Sequence, residues 1–294
     1  RTPDQRFQRI DAMKADHPIR SLCEALEVSS SGYYDWFNRQ AQPGPRAQEN
    51  ACLLQQIIQI HRESRQTYGS PRIQVVLRQA GHAHGRHRIA RLMRLQGLCG
   101  RAKGRFRVCT TDSNHDQPIA PNRLPQLPPP DAPNQVWLGD ITYVATEEGW
   151  LYLAGHKDVF TGEIVGYALG ERITKNLVSQ SLFRAVAAKR PLPGLIHHSD
   201  RGSQYCSGDL VKLLDLFHMK ASMSGKGNCY DNAPMESFWG TLKNELVHHI
   251  RYATRSQAIS EITEYIEVFY NRQRRQARLG NLSPAAYEQK YYEK

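Results

Sequence analysis

Apolar residues recur at helical intervals through the first third of this chain and in short strand-length blocks after it. Ile19, Leu22, Cys23 and Leu26 fall on one face of a helix, with Pro18 near its first turn, where a missing N–H costs little. The short turn Glu27-Val-Ser29 leads to Ser30–Asn38, a second helix rich in aromatics. Helix, tight turn, helix is the outline of a helix-turn-helix DNA reader, and equally of a plain helical hairpin. Residues 48–63 predict a further amphipathic helix through Leu53, Leu54, Ile57, Ile58 and His61. Ser70–Arg78 and Arg86–Arg94 predict a second helix pair flanking Gly81-His-Ala-His-Gly85.

After residue 135 the pattern changes. Val136–Val144, Trp150–Ala154 and Glu163–Leu169 predict three short strands, the second and third close enough for a hairpin. A helix over 174–189, a strand over Leu195–His198, a helix over 208–217 and a last strand over Met219–Met223 follow. The glycine-bearing loop Ser224–Asn228 then leads to long helices over about 232–249 and 256–271. Three strands, helix, strand, helix, strand, helix is the order of an RNase H-like α/β core, here preceded by an all-α region. Seven of the 16 prolines fall between Pro118 and Pro133, which predicts an extended connector, since proline locks φ and cannot donate a backbone hydrogen bond. The expected organisation is a helix-turn-helix-like DNA-binding segment (1–45), a basic helical DNA-binding domain (46–110), a Pro-rich linker (111–134), the α/β core (135–250) and a C-terminal helical extension (251–294).

Charge sharpens this division. Residues 1–110 hold 19 Lys and Arg against 8 Asp and Glu, and so carry the whole net charge of +11; residues 111–294 balance 20 against 20. Arg72, Arg86, Arg88, Arg91 and Arg94, with the tail residues Arg101, Lys103, Arg105 and Arg107, are expected to contact DNA phosphates, which arginine grips in bidentate fashion. No apolar run approaches the ~18 residues of a helical membrane span, and no signal peptide is seen, so a cytoplasmic protein is expected. Residue 1 is Arg rather than Met, which leaves open a trimmed or processed start and a segment upstream of it. The six cysteines are scattered without a Cys-x-x-Cys pair, which favours reduced thiols over zinc sites or disulfides.

Three acids carry the candidate chemistry. Asp140 lies in Val136-Trp-Leu-Gly-Asp-Ile-Thr-Tyr-Val144, Asp200 in His197-His-Ser-Asp-Arg-Gly-Ser-Gln-Tyr205, and Glu236 in Asp231-Asn-Ala-Pro-Met-Glu-Ser-Phe-Trp239, with 59 and 35 residues between them. Asp140 is mid-strand among apolar residues, where an unpaired carboxylate is costly. Asp200 follows a strand's carboxyl end, where α/β sheets commonly place their sites. Glu236 opens a helix for which Asp231 is the expected N-cap, with Pro234 tolerated in the first turn. Three hard oxygen ligands on separate elements suit Mg²⁺ or Mn²⁺, two ions per site, one activating the attacking oxygen and one stabilising the leaving oxygen. Lys243 lies two turns along the same helix face as Glu236, with Gly240 between them, and is assigned a terminal phosphate of the DNA. His197 and His198 are read as ending a strand and shaping its loop rather than as metal ligands.

With these residues in view, the chain resembles the second-reading-frame transposases of the IS-three family of bacterial insertion sequences, whose core is related to retroviral integrases. Tyr68–Arg72, Ala90–Arg94, Val136–Val144, His198–Tyr205, Asn228–Ala233, Glu236 with Lys243, Phe269–Arg272 and Leu279–Pro284 carry the resemblance in order along nearly the whole chain. It implies a metal-dependent transposase that cuts DNA at the element's ends and joins the 3′-hydroxyl to another strand, with Asp140, Asp200 and Glu236 as metal ligands and Lys243 as the basic residue beside them. It further implies terminal-repeat and target duplexes as partners, a homo-oligomer on DNA, and a nucleoid-associated location. Arg201, the Gly225/Gly227 loop with Lys226, and Arg272, Arg274, Arg275 and Arg278 are expected near DNA. Many relatives have an apolar run and an Arg where this chain reads Gly155–Glu163, and many are made as fusions with an upstream helix-turn-helix and leucine zipper. No sustained heptads occur here, so an upstream segment of that kind, where one is present, is expected to carry oligomerisation and part of end recognition. A nuclease of the same fold and an inactive DNA-binding regulator share parts of the pattern. The linked basic module and the 35-residue spacing favour strand transfer over the first, and the intact acids argue against the second.

Overall fold

The computed structural model describes residues 2–42, 44–101, 119–225 and 231–293. Three helices, α1 (Pro3–Met13), α2 (Ile19–Ala25) and α3 (Ser30–Ala41), enclose a small core of their own made by Phe7, Ile10, Leu22, Cys23, Tyr33 and Trp36. The first of these is absent from the hydrophobic pattern described above, and its signal is local. Thr2 accepts from the Gln5 amide while the Gln5 side chain reaches back, a capping box with Pro3 in the first turn. Then follow α4 (Pro45–Glu63), α5 (Ser70–Gln79) and α6 (Arg86–Leu95).

The five strands are β1 (Val136–Thr146), β2 (Gly149–Asp158), β3 (Ile164–Gly170), β4 (Ile196–Ser199) and β5 (Lys220–Met223), in the spatial order β3-β2-β1-β4-β5. The first three form an antiparallel meander, and β4 and β5 join parallel to β1. Parallel neighbours need crossovers, and these are α7 (Lys175–Lys189) and α8 (Gly208–Leu216). Both pack on one sheet face around Trp137, Val165, Val178, Leu182 and Leu210. Gly166 permits the close approach of α7, because a Cβ there would come within 2.5 Å of the Ala185 backbone.

The opposite face is covered by α9 (Ala233–Glu245), α10 (Arg255–Glu264) and a π-helical turn over Tyr265–Tyr270. The wider turn lets Tyr265, Ile266, Phe269 and Tyr270 all point inward, where a single α-helix was expected through residue 271. The chain ends in α11 (Pro284–Tyr292), anchored where the Lys189 ammonium bridges Glu163 and Glu288 at 2.6 and 2.7 Å.

Two features differ from the sequence-based picture. The described part of the connector is tied to the sheet, because Ala120–Arg123 strap the outer edge of β5 and the Asn134 amide donates to Asp158 at the end of β2 (2.7 Å). The Arg123 amide donates to Ser222 Oγ (3.0 Å), its Nε to the Ala221 carbonyl (3.1 Å), and Asn122 to Asp231 (2.8 Å). Nor do α4–α6 stand apart from the α/β core. Leu53, Ile57, Tyr68 and Ile73 belong to one apolar cluster with Val144, Phe238, Tyr265 and Phe269. The Tyr68 hydroxyl also accepts from the Arg275 amide at 2.8 Å.

Candidate active site

The sheet opens a notch where β4 stops. β1 pairs with β4 only from Val136 to Gly139, so Asp140 is the first residue of β1 beyond its neighbour's end. Asp200 sits just past that end, and the two carboxylates line one cleft with Ile141, Tyr143, Tyr152, Ile173, Gly202, Gln204 and Tyr205. Gly139 is needed here, since a Cβ would press within 3.0 Å of His197 Nε2 and 3.2 Å of the Tyr205 ring. Asp140 is held by the Ile141 amide (2.8 Å) and by the Trp239 indole N–H (3.0 Å). Burial, with the Asp200 charge second, pushes its carboxyl up to about 8. Asp200 accepts from the Gly202 amide at 2.9 Å, which fixes its loop.

Glu236 stands off from this pair. It occupies the first turn of α9, is exposed, and is not among the cleft residues, although its charge adds to the upward push on Asp140. Among the described residues no three His, Cys, Asp or Glu side chains converge closely enough to hold a metal ion on their own. The helix begins at Ala233 with Asn232 as N-cap, rather than with Asp231, whose carboxylate instead takes the Asn122 amide. Glu236, Trp239 and Lys243 share one face of α9 by their three- and four-residue spacing. That face looks at the cleft: Trp239 bonds Asp140, and the Lys243 ammonium lies 4.9 Å from the centre of the Tyr143 ring. Burial lowers the Lys243 pKa and the Asp140 carboxylate opposes that shift.

A divalent cation fits the donor chemistry. Two carboxylates share a cleft, one of them buried and held up by the other's charge, and a cation would relieve both burdens. Mg²⁺-type ions need only one or two protein carboxylates, completing their shell with water and substrate phosphate.

Beneath the acids lies a set of buried histidines. His197 Nε2 meets His156 Nε2 at 2.9 Å, and His156 Nδ1 meets Ser181 Oγ at 3.2 Å. His198 is bracketed by Ser222 and Ser224 at 2.9 and 3.1 Å. Burial pushes His197 and His198 down to about 4 and holds His156 well below the ordinary 6.5, so all three stay neutral and support the sheet under the cleft. The Tyr205 hydroxyl is also buried here and lacks a hydrogen-bond partner.

The basic residues sort into groups. Arg86, Arg91 and Arg94 are exposed along α6, whereas Arg88 is tied to Asn50 (2.8 Å) and Glu49 (2.9 Å). Arg72 stacks over Tyr68, and the Arg101 guanidinium donates to the Glu245 carbonyl. Arg201 donates to the Ser224 carbonyl at 2.7 Å. Arg272 and Arg278 are exposed, and Arg275 is half-buried with a bond to the Asn281 carbonyl. Arg274 corrects its expectation: it is buried, forked onto Glu245 at 2.7 and 2.8 Å, and holds the fold rather than facing DNA. Lys103, Arg105, Arg107, Lys226 and Gly227 lie outside the described residues.

Sequence reasoning passed over Glu245, Trp239 and Tyr143. Glu245 also takes the Tyr265 hydroxyl at 2.7 Å, so it ties α9 to the C-terminal helices. Its surroundings, Leu242-Lys-Asn-Glu-Leu246, read as an ordinary amphipathic helix and carry no signal that sets this acid apart.

Family comparisons agree with this architecture. Two models, each described as Integrase core domain, match residues 130–229 and 236–291, and one described as HTH-like domain matches 47–106. The last falls on α4–α6 and the start of the basic tail, not on the earlier pair α2 and α3. A Shigella sonnei protein named insertion element IS600 uncharacterized 31 kDa protein is 56% identical over 272 residues, 92% of this chain and 99% of that one. The Escherichia coli K12 transposase InsF for insertion sequence IS3A is 36% identical over 281 residues, 96% of this chain and 97% of that one. The HTLV-2 integrase catalytic core covers 54% of this chain and 98% of its own at 16% identity and a TM-score of 0.43, a likeness that carries no residue assignment.

Proposed function

We propose, for a chain that belongs to the IS-three family of insertion-sequence transposases, that Asp140, Asp200 and Glu236 form the metal-binding centre of its strand-transfer reaction. The enzyme is a polynucleotidyl transferase of the Asp-Asp-Glu type. Its substrates are the terminal repeats of its own element and a target duplex, and it frees a 3′-hydroxyl at the element end and joins it to the target strand.

Asp140 and Asp200 would hold Mg²⁺ or Mn²⁺, with Glu236, on the face of α9 that looks at the cleft, as the third carboxylate. Two such ions, when bound, would activate the attacking oxygen and stabilise the leaving one. The protein's own part is positioning and charge. Trp239 orients Asp140, the Gly202 amide orients Asp200, and Lys243 neutralises a phosphate oxygen from the face it shares with Glu236. What supports the reading above all is the pairing of Asp140 with Asp200 at the end of β4, in an integrase core, with Lys243 aimed at the same cleft.

The basic helix α6 and the tail after it grip the terminal repeat, and at least two protomers assemble on paired ends, in the cytoplasm with the nucleoid. The test is incubation of labelled terminal-repeat DNA with Mg²⁺. Joined products support the reading, whereas DNA that is bound but unchanged, or cut and never joined, would refute it.

A further inference from the structure

We infer that Tyr143 and Trp150 form a nucleobase subsite, which takes an unpaired base of the DNA strand whose phosphate enters the acidic cleft. This rests on the strand-transfer reading and names what binds beside it. Beyond Asp140, β1 has left β4 and runs beside β2 to a bridge between Thr146 and Tyr252, while β3 flanks β2 only as far as Tyr152, so the tip of the hairpin past Tyr143 and Tyr152 stands beyond β3 and β4 as a ledge. The Tyr143 ring lies at the foot of that ledge three residues from Asp140, with the Trp150 ring packed edge-on at 4.8 Å and 80°. Lys243 lies over the same Tyr143 ring, which itself lines the cleft with Asp140 and Asp200, so one cation borders both the cleft and the aromatic wall. A nucleotide spans that interval, since its base and phosphate are one sugar apart.

Exposure and charge choose the ligand. Trp150 is 50% exposed and Ile173, on the cleft wall, 39%, more apolar surface than a cross-strand aromatic pair needs for its own packing. The enclosed part of the cleft is only about 30 Å³, room for a water or two, so a base stacks across the rim rather than inside. Around Trp150 the acids are matched by arginines, so this part of the rim carries little net charge of its own. Glu147 is paired with Arg251 (2.9 Å), Glu171 with Arg255 (3.5 Å), and Glu148 takes the Arg255 amide (2.8 Å). A flat, uncharged, polarisable group suits such a surface, and every nucleobase presents one. The ledge is also fixed in advance. Arg255 donates to the Trp150 carbonyl at 3.2 Å, and the Glu147 amide to the Tyr252 carbonyl at 3.0 Å, so stacking requires little ordering of the protein.

The test is photocrosslinking of the full-length protein to terminal-repeat duplexes carrying 5-iodouracil at each position flanking the cleavage site in turn. The expected result is a crosslink to Trp150 or Tyr143, mapped by mass spectrometry and present also in the Asp140→Asn protein. Trp150→Ala and Tyr143→Ala should lower strand transfer about tenfold or more on paired ends, with Trp150→Phe recovering most of the loss. Crosslinks confined to other residues would overturn the subsite whether or not DNA is joined. An activity loss matched by a fall in thermal midpoint, without the crosslink, would reduce the pair to a hairpin staple and overturn it equally. Crosslinks at the ledge without any joined product would instead overturn the strand-transfer reading.

Discussion

Asp140 keeps a carboxylate where the fold alone would prefer none. Its pKa stands at about 8 against an ordinary 3.8, chiefly from burial, so the metal-free protein gains stability from the protonated form. That gain is complete below about pH 4 and is lost as pH rises through about 8. Asp140→Asn, which cannot ionise, should therefore lose less stability than wild type between pH 5 and pH 9, on top of a constant cost for setting an amide against the Ile141 or Trp239 donor. Thermal midpoints of the two metal-free proteins across that range check this, and parallel curves would refute it. Adding Mg²⁺ should raise the wild-type midpoint at pH 8 and leave the variant's nearly unchanged. Single residues of this kind were legible in the sequence because a charge in an apolar strand has few bland explanations. Tyr143 and Trp150 were not, since aromatic residues in strands are commonplace and only the ends of β3 and β4 leave these two at an open ledge.

Among the elements, α9 joins chemistry to architecture. Glu236 and Lys243 face the cleft, while Glu245 at the far end accepts the Arg274 fork and the Tyr265 hydroxyl in a buried site. Glu245→Leu leaves Arg274 buried without its partner and should cost about 3–5 kcal/mol in denaturant unfolding. Arg272→Ala, on an exposed neighbour, should cost little by the same measurement. In β4 and β2 the sign with pH reverses. His197 and His156 are held neutral below the ordinary 6.5, so the stability they contribute is present above that value and lost as pH falls below it, for His197 toward about 4. Acid unfolding should steepen below about pH 6.5, and His197→Gln should blunt it; an unchanged acid limb would show that the pair does not govern it. The strands and most of the helices were readable from periodicity to within a few residues, but α1 and α11 were not. The π-helical turn was not, because its cause is the need to bury four large side chains against α9, which local pattern does not carry.

At the scale of the molecule, the separation of a basic half from a neutral one was visible in the charge count, but the mechanical relation between them was not. A proline-rich stretch reads as an extended connector, yet Ala120–Arg123 are strapped along β5, and α4–α6 share an apolar cluster with the core. Hydrogen bonds and apolar packing between segments a hundred residues apart leave no local trace. DNA affinity of the whole chain should fall steeply with salt, and alanine at Arg86, Arg91 and Arg94 together should reduce the salt slope by about one for each phosphate that no longer has an arginine on it. An unchanged slope would remove α6 from the interface. Mass measurement with end DNA should find at least two protomers, since both ends must be held at once; a single protomer per complex would contradict the paired assembly. The centre of the account is that three acids work as one metal site although only two of them line the cleft. Strand transfer and DNA binding measured side by side for wild type, Asp140→Asn, Asp200→Asn and Glu236→Gln test it most directly. The account predicts joining reduced about a hundredfold or more in each variant with binding retained; joining within a few fold of wild type in any one of them would contradict it.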